Sequence, residues 1–506
     1  MIITITLAKA IVPALMAATA AAFAPLTHHG VRQSQRHLVR CSSTVTKSGP
    51  MPWTLNTEAY GEFDQEDWGW VYSTVPPEAC AANVVLSEIE GEIPMDLRGT
   101  LYRIGPGNFE RAGVRFQHAL DGDGFVAAFN FTGNGTVRYS GSFIETEYFL
   151  QEKEKDAILY RNVFGTQPDE WWKNVGNVNL KNVANTNIVE WGGRLLALWE
   201  GGRPYELSPA LETLPPPRAD EEWGPFQNLG KPDCGFRGVT LDEGGPIDTM
   251  LNFGRSFTAH PHIFGDGKAQ SLVGIKTALN PLTESVQLEI IAYDQQWSEK
   301  SKVPYTLVSA PSAPHDFSIS ENYYCLIQSR LQLDNVPFLL GLKSPTQVLQ
   351  LSIKKPSILH LVSKRDDHKS LQFELPPYFN LHNIPKAVET ADDKLILYSN
   401  GWDLHDERYF PPEEETVPFL GSWGGRYPDF RYVPPSHLYR TVVDLRSEKL
   451  VSHEQVIPGL VMGECVLTVR YFVVSPFHIT DSSLRSYTVH RVSDGRRRRS
   501  CLFQCC

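Results

Sequence analysis

The stretch NIVEWGGRLLALW, residues 187–199, consists of two β-rich runs on either side of Gly192-Gly193. Paired glycines supply the positive φ that a tight hairpin turn needs, so the segment reads as a β-hairpin. The layout recurs in SLVGIKTAL (271–279) with SVQLEIIAYD (285–294), in DFSISENYYCLI (316–327), in DKLILYSNG (393–401) and in YRTVVDLRSEKLVSHEQV (439–456). Phe317 and Ile319 alternate with polar residues in DFSIS, the period of a half-buried strand. Nothing in the chain has the length and 3.6-residue period of a long helix. Hairpins that recur from about residue 51 to 462 suit closure around an axis better than a two-sheet sandwich. The expectation is an all-β propeller.

Composition agrees. The 506 residues include 38 Gly and 36 Pro, with 42% hydrophobic and 11% aromatic residues, which suits many short strands joined by tight turns. A formal charge of −11 argues against a nucleic-acid partner held by bulk electrostatics, because such binding needs basic patches that displace counterions. Eight cysteines are scattered without a CxxC pair, so neither a zinc knuckle nor a disulfide framework is signalled, and the folded body reads as reduced.

The N-terminal region has a different composition. No Asp or Glu precedes Glu58. Residues 1–22 carry one Lys and the apolar AIVPALMAATAAA, the pattern of a signal peptide; residues 23–50 are rich in Arg, His, Ser and Thr, the pattern of a transit peptide. The junction AAFAP resembles the plastid-targeting junction of algae with secondary plastids. Plastid delivery is the expectation.

Three of the fifteen histidines stand in comparable contexts: His260 in TAHPHIF, His315 in SAPHDFSIS and His382 in FNLHNIPKAVE. They are 55 and 67 residues apart, too far for a local zinc motif but near the distance between propeller blades. Blades deliver their innermost strands to a common axis, where one histidine per strand would converge.

At this point the chain resembles the carotenoid cleavage oxygenase family. The resemblance runs from about residue 64 to about 460. It is carried, in order, by IPMDLRGTLYRIGPGNFE (93–110), HALDGDGFVAAFNF (118–131), TAHPHIFGDG (258–267), APHDFSIS (313–320) and LHNIPKAVE (381–389). It implies a seven-bladed β-propeller with a dome of loops and short helices, and one Fe(2+) on the axis held by four histidines. Three of these would be His260, His315 and His382, with His262 a neighbour. Neutral imidazoles leave a ferrous ion its full charge and open positions for dioxygen. The family's glutamates, which aim the ligating rings through hydrogen bonds, would correspond to Glu200 in LLALWEGG, Glu389 in HNIPKAVE and Glu464 in MGEC.

Two further stretches bear on the site. DGDG at 121–124 has calcium-loop overtones, but the FVAAFNF that follows lacks the later ligands, so a tight turn is the reading. VPFLLGLKSP (336–345) is apolar; the resemblance implies a loop that touches a membrane, and core packing is the alternative.

The resemblance ends near the C-terminus. From Val466 the sequence matches neither the fourth-histidine motif nor its surroundings, so residues 463–506 read as a divergent tail and the last blade as incomplete. His453, His478 and His490 are conceivable substitutes, and no fourth ligand is assigned. The implied activity is a non-haem Fe(2+) dioxygenase that cleaves a conjugated double bond of a carotenoid or apocarotenoid with O2, giving carbonyl products. Alternatives are a stilbene-cleaving or isomerase member of the family, and a non-catalytic carotenoid-binding propeller.

Overall fold

The glycine pair of the opening stretch turns as expected: Gly192 and Gly193 have φ of 56° and 74°, and strands Asn187–Trp191 and Arg194–Leu198 pair across them. The computed structural model describes residues 72–458 apart from 88, 90, 178–179, 215–254, 266–268, 281–283, 366, 422–423 and 427–432. It also describes the strands Cys465–Thr468, Tyr471–Val474, Ser486–His490 and Phe503–Gln504. The signal- and transit-peptide segments lie outside these residues.

The strands form successive antiparallel meanders. The first sheet orders Val84–Val85, Val137–Phe143, Asp123–Thr132 and Arg98–Asn108; the second Asn187–Trp191, Arg194–Leu198 and Tyr205–Leu207. The third orders Arg255–Phe257, Ser271–Asn280, Ser285–Tyr293 and Glu299–Val308, with His262–Phe264 also paired to Ser271–Asn280. The fourth orders Phe317–Ile319, Tyr323–Gln328, Ser357–Ser363 and Leu371–Leu375; the fifth Tyr378–Asn383, Lys394–Asp403, His437–Asp444 and Lys449–Gln455. Cys465–Thr468, Tyr471–Val474, Ser486–His490 and Phe503–Gln504 make a sixth meander, of shorter strands, within the segment expected to be a divergent tail.

Hydrophobic packing shows how the first five sheets are arranged. Val126 and Ala128 of the first cluster with Leu195, Ala197 and Tyr205 of the second; Leu196 and Leu198 of the second with Phe257 and Ile291 of the third. Ile275 and Ile290 of the third meet Phe317 and Leu326 of the fourth, and Leu361 and Phe373 of the fourth meet Leu397 and Val443 of the fifth. Alternation along each strand thus feeds two cores, one on each face. Each sheet packs face to face on the next, which is how blades stack around an axis, and the fold is the expected β-propeller.

The edge strand that begins the fourth sheet lies beside the segment that follows the first strand of the fifth, and His262 of the third reaches Asp316 beside it. The Ile319 N–H donates to the Pro385 carbonyl at 2.7 Å, and Ser318 Oγ donates to the Ile384 carbonyl at 2.7 Å. These adjacent edges carry the histidines of interest.

Cap segments lie outside the blades. The longest helix among the described residues is Glu147–Lys155, begun by Thr146 Oγ1 accepting the Phe149 N–H. The short helix Asn335–Leu339 falls within VPFLLGLKSP. DGDG is a turn only in its first half: Asp121 ends the 3-10 turn Ala119–Asp121 and accepts the Phe164 and Thr166 N–H groups, whereas Asp123 opens strand Asp123–Thr132 and pairs with the buried Lys181 at 2.5 Å. Both carboxylates serve internal bonds.

Candidate metal centre

His260, His315 and His382 converge from three different blades. Each offers a ring nitrogen, and the three lie within 4.8 Å of one another. His260 sits between strands Arg255–Phe257 and His262–Phe264, buried, with its N–H donating to Thr258 Oγ1 at 3.1 Å. His315 precedes strand Phe317–Ile319. His382 lies at a bulge in Tyr378–Asn383, where its N–H turns from the ladder to Asn400 Oδ1 at 2.9 Å.

The donor set fits a divalent transition ion. Nε2 of His260 and Nε2 of His315 are 3.0 Å apart. Two imidazoles bound at right angles to one ion, each about 2.1 Å away, would be held roughly 3 Å apart. The His260 imidazole is pushed down to about 3 by burial first and by the neighbouring His315 second, so at neutral pH its lone pair is available. Glu200 Oε2 stands 2.5 Å from His315 Nδ1. A carboxylate there accepts a hydrogen bond from Nδ1–H and leaves Nε2, the nitrogen that faces His260, with its lone pair free for an ion.

Glu200 also marks an open side. Burial is the largest influence on its carboxyl and works against the charge, yet the His315, His260 and His382 rings outweigh it and hold the group below its usual range. Even so, half of its side chain is solvent-accessible, as is a third of that of His315. The cluster thus has a buried member, His260, and a more accessible side at His315 and Glu200.

The other expected site residues lie elsewhere. Glu389 is a correction: its oxygens accept from Ser320 Oγ at 2.6 Å and from the backbone and side-chain nitrogens of Asn322 at 2.7 Å, so it fastens the turn of the neighbouring hairpin and none of these bonds reaches a histidine. Glu464 lies outside the described residues. His453 stands on strand Lys449–Gln455, bonded to Thr441 Oγ1 at 2.9 Å and stacked on Tyr439, and it does not join the cluster. His478 is outside the described residues, as is the side chain of His490.

Comparison with known proteins decides the family. The profile described as retinal pigment epithelial membrane protein matches residues 73–488. The chain belongs to the carotenoid cleavage oxygenase family. Within it, the chain is 34% identical over 390 residues to the apocarotenoid-15,15'-oxygenase of Synechocystis, covering 76% of this chain and 69% of that one. The resveratrol cleavage oxygenase 1 of Botryotinia fuckeliana is 27% identical over 67% of this chain and 55% of its own length. A chloroplastic carotenoid cleavage dioxygenase 7 of Oryza sativa is 41% identical over 160 residues, 30% of this chain and 24% of its own length. A solved structure of the Synechocystis apocarotenoid oxygenase superposes with a TM-score of 0.67 at 26% identity, over 88% of this chain and 84% of that one. As a carotenoid cleavage oxygenase, the chain is an enzyme of the dioxygenase type, and its relatives include oxygenases of apocarotenoids, carotenoids and resveratrol.

Proposed function

We propose that this chain is a non-haem Fe(2+) dioxygenase that cleaves one conjugated double bond of a carotenoid or apocarotenoid with O2. The observation that carries the reading is the convergence of His260, His315 and His382, with Glu200 on His315. In the overall reaction the C=C bond is broken, each carbon takes one oxygen atom of O2, and two carbonyl products form.

When bound, a ferrous ion supplies the open-shell chemistry that lets dioxygen react with a closed-shell alkene. The chain's own residues do the rest. Glu200 fixes the tautomer and direction of the His315 ring. The packed inner strands that carry the three rings hold their spacing. Trp199, buried beside Glu200, packs with Phe338, Val348 and Leu180 in an apolar cluster whose chemistry is compatible with a polyene. That cobalt has been substituted into the Synechocystis relative supports a transition-ion site.

The substrate reading includes contact with a lipid surface. Val336, Leu339 and Leu342 are exposed, as are Trp171, Trp172 and Val175 on a neighbouring segment. The two segments are tied together: the Gly176 N–H donates to the Leu339 carbonyl at 2.8 Å, and the buried Arg161 reaches the Asn177 carbonyl at 2.5 Å and the Lys343 carbonyl at 2.7 Å. A tryptophan-bearing apolar patch of this kind suits a bilayer interface, where carotenoids reside. Plastid localisation is part of the same reading, supported by the acid-free N-terminal region and by the chloroplastic rice relative.

The test is product analysis. Protein loaded anaerobically with Fe(2+) is given an apocarotenoid in detergent under O2, with resveratrol as the competing substrate. Aldehyde products from the apocarotenoid, with oxygen consumed in proportion, support the reading. Cleavage of resveratrol alone would move the chain to the stilbene-cleaving reading, which the Botryotinia relative favours. Geometric isomers without oxygen uptake would move it to isomerisation, and bound but unchanged polyene to the non-catalytic reading.

A further inference from the structure

His262 does not join the metal cluster, although only one residue separates it from His260. Its Nε2 lies 2.8 Å from Oδ1 of Asp316, and its ring packs against Phe317 with centroids 4.7 Å apart. Asp316 is buried and directly follows His315 in sequence. Its two oxygens point in different directions. Oδ1 also accepts the Phe317 N–H at 2.7 Å, whereas Oδ2 accepts the Asn383 N–H at 2.9 Å and faces Nδ1 of His382 at 3.6 Å. That His382 nitrogen is buried and makes no hydrogen bond.

One carboxylate therefore touches all three ligand-bearing segments: 260–262 through His262, 315–317 through its own backbone, and 382–383 through Asn383. A buried imidazole N–H left without an acceptor costs about 1–3 kcal/mol, and the carboxylate that faces it is a small ring rotation away from hydrogen-bond distance. With Nδ1 turned toward Asp316, Nε2 is the nitrogen left for an ion.

We propose that Asp316 is a positioning residue of the metal centre: its carboxylate accepts a hydrogen bond from the Nδ1–H of His382 and aims that ring, while His262 holds the carboxylate in place. The inference rests on the reading that the three histidines hold a metal ion. It gives His382 the kind of partner that Glu200 gives His315, drawn from the neighbouring blade. Outer partners of this kind usually govern metal affinity by about 10- to 100-fold.

The experiment uses Co(2+) as the probe, because its visible absorption reports the ligand field. Affinity is measured by chelator competition on the full chain for wild type, Asp316→Asn, His262→Gln and His262→Ala, and thermal unfolding is recorded on each metal-free protein. The expected result is an affinity about 10- to 100-fold lower and a shifted Co(2+) spectrum for folded Asp316→Asn, in addition to the fall in unfolding temperature that its buried hydrogen bonds entail. His262→Gln, whose amide can still donate to Asp316, stays near wild type, and His262→Ala loses affinity. A merely structural role would lower the unfolding temperature and leave affinity and spectrum of the folded protein unchanged, which overturns the proposal. Should Asp316→Asn not fold, the two His262 variants decide, and equal affinity for them overturns it. If wild type takes up no Co(2+), the three-histidine reading itself fails and this proposal falls with it.

Discussion

Glu200 and His315 are 115 residues apart in sequence and 2.5 Å apart in space, carboxylate oxygen to Nδ1. The pair joins the end of one hairpin to the start of a strand two sheets further round the propeller, and leaves His315 Nε2 facing His260. Removing the charge should loosen the ligand without harming the fold, because half of the Glu200 side chain is already accessible. Glu200→Gln is expected to lower metal affinity about tenfold and to leave thermal unfolding of the metal-free protein unchanged. Unaltered affinity would show that the contact does not orient the ring.

His453 separates metal ligation from packing. It is held by Thr441 and lies between Tyr378 and Tyr439. His453→Ala is therefore expected to cost about 1–3 kcal/mol in urea unfolding and to leave the metal content of the folded protein unchanged. Loss of metal at full stability would make it the missing ligand.

Acid should act on the metal-free chain through its buried histidines, against the opposing contribution of Asp121, whose carboxyl burial pushes up to about 6. Burial pushes His260 down to about 3, and His360 and His453 down to about 4, from an ordinary value of 6.5. The unfolded chain therefore binds protons that the folded chain refuses. This contribution is complete above 6.5 and is lost as pH falls from there toward 3 to 4. Unfolding free energy should drop by about 1–2 kcal/mol per buried histidine between pH 7 and 5. His360→Gln, tested by urea titration at both pH values, should shrink the drop; an unchanged drop would remove His360 from the account.

The apolar cap segment should control access to lipid-borne substrate. Trp172→Ser combined with Val336→Ser removes two side chains that are 59% and 62% exposed, so stability should change little. Vesicle co-sedimentation is expected to fall severalfold, and turnover of detergent-dispersed substrate to persist. Equal sedimentation would return VPFLLGLKSP to the core-packing alternative.

Much of this was legible in the sequence because it is local. Gly192-Gly193 dictates a hairpin whatever surrounds it, and the contexts of His260 and His315 lie just before strands while that of His382 lies near the end of one. Glu200 was reached through its motif. Glu389 was misread because a strand residue's partner depends on the next blade: paired with Leu395, it faces the Ser320–Asn322 turn rather than the axis. Asp316 and His262 escaped for the same reason. Their partners lie 54 to 67 residues away, and only the lateral alignment of inner strands brings them together.

The central claim is that three histidines from three blades hold one ion. Its most direct test is elemental analysis of the full chain and of His260→Ala, His315→Ala and His382→Ala, each reconstituted anaerobically with Fe(2+) and freed of excess metal. The account predicts about one iron per wild-type chain and little in any of the three variants. Folded wild-type protein without iron, or a variant that keeps its full complement, would contradict it.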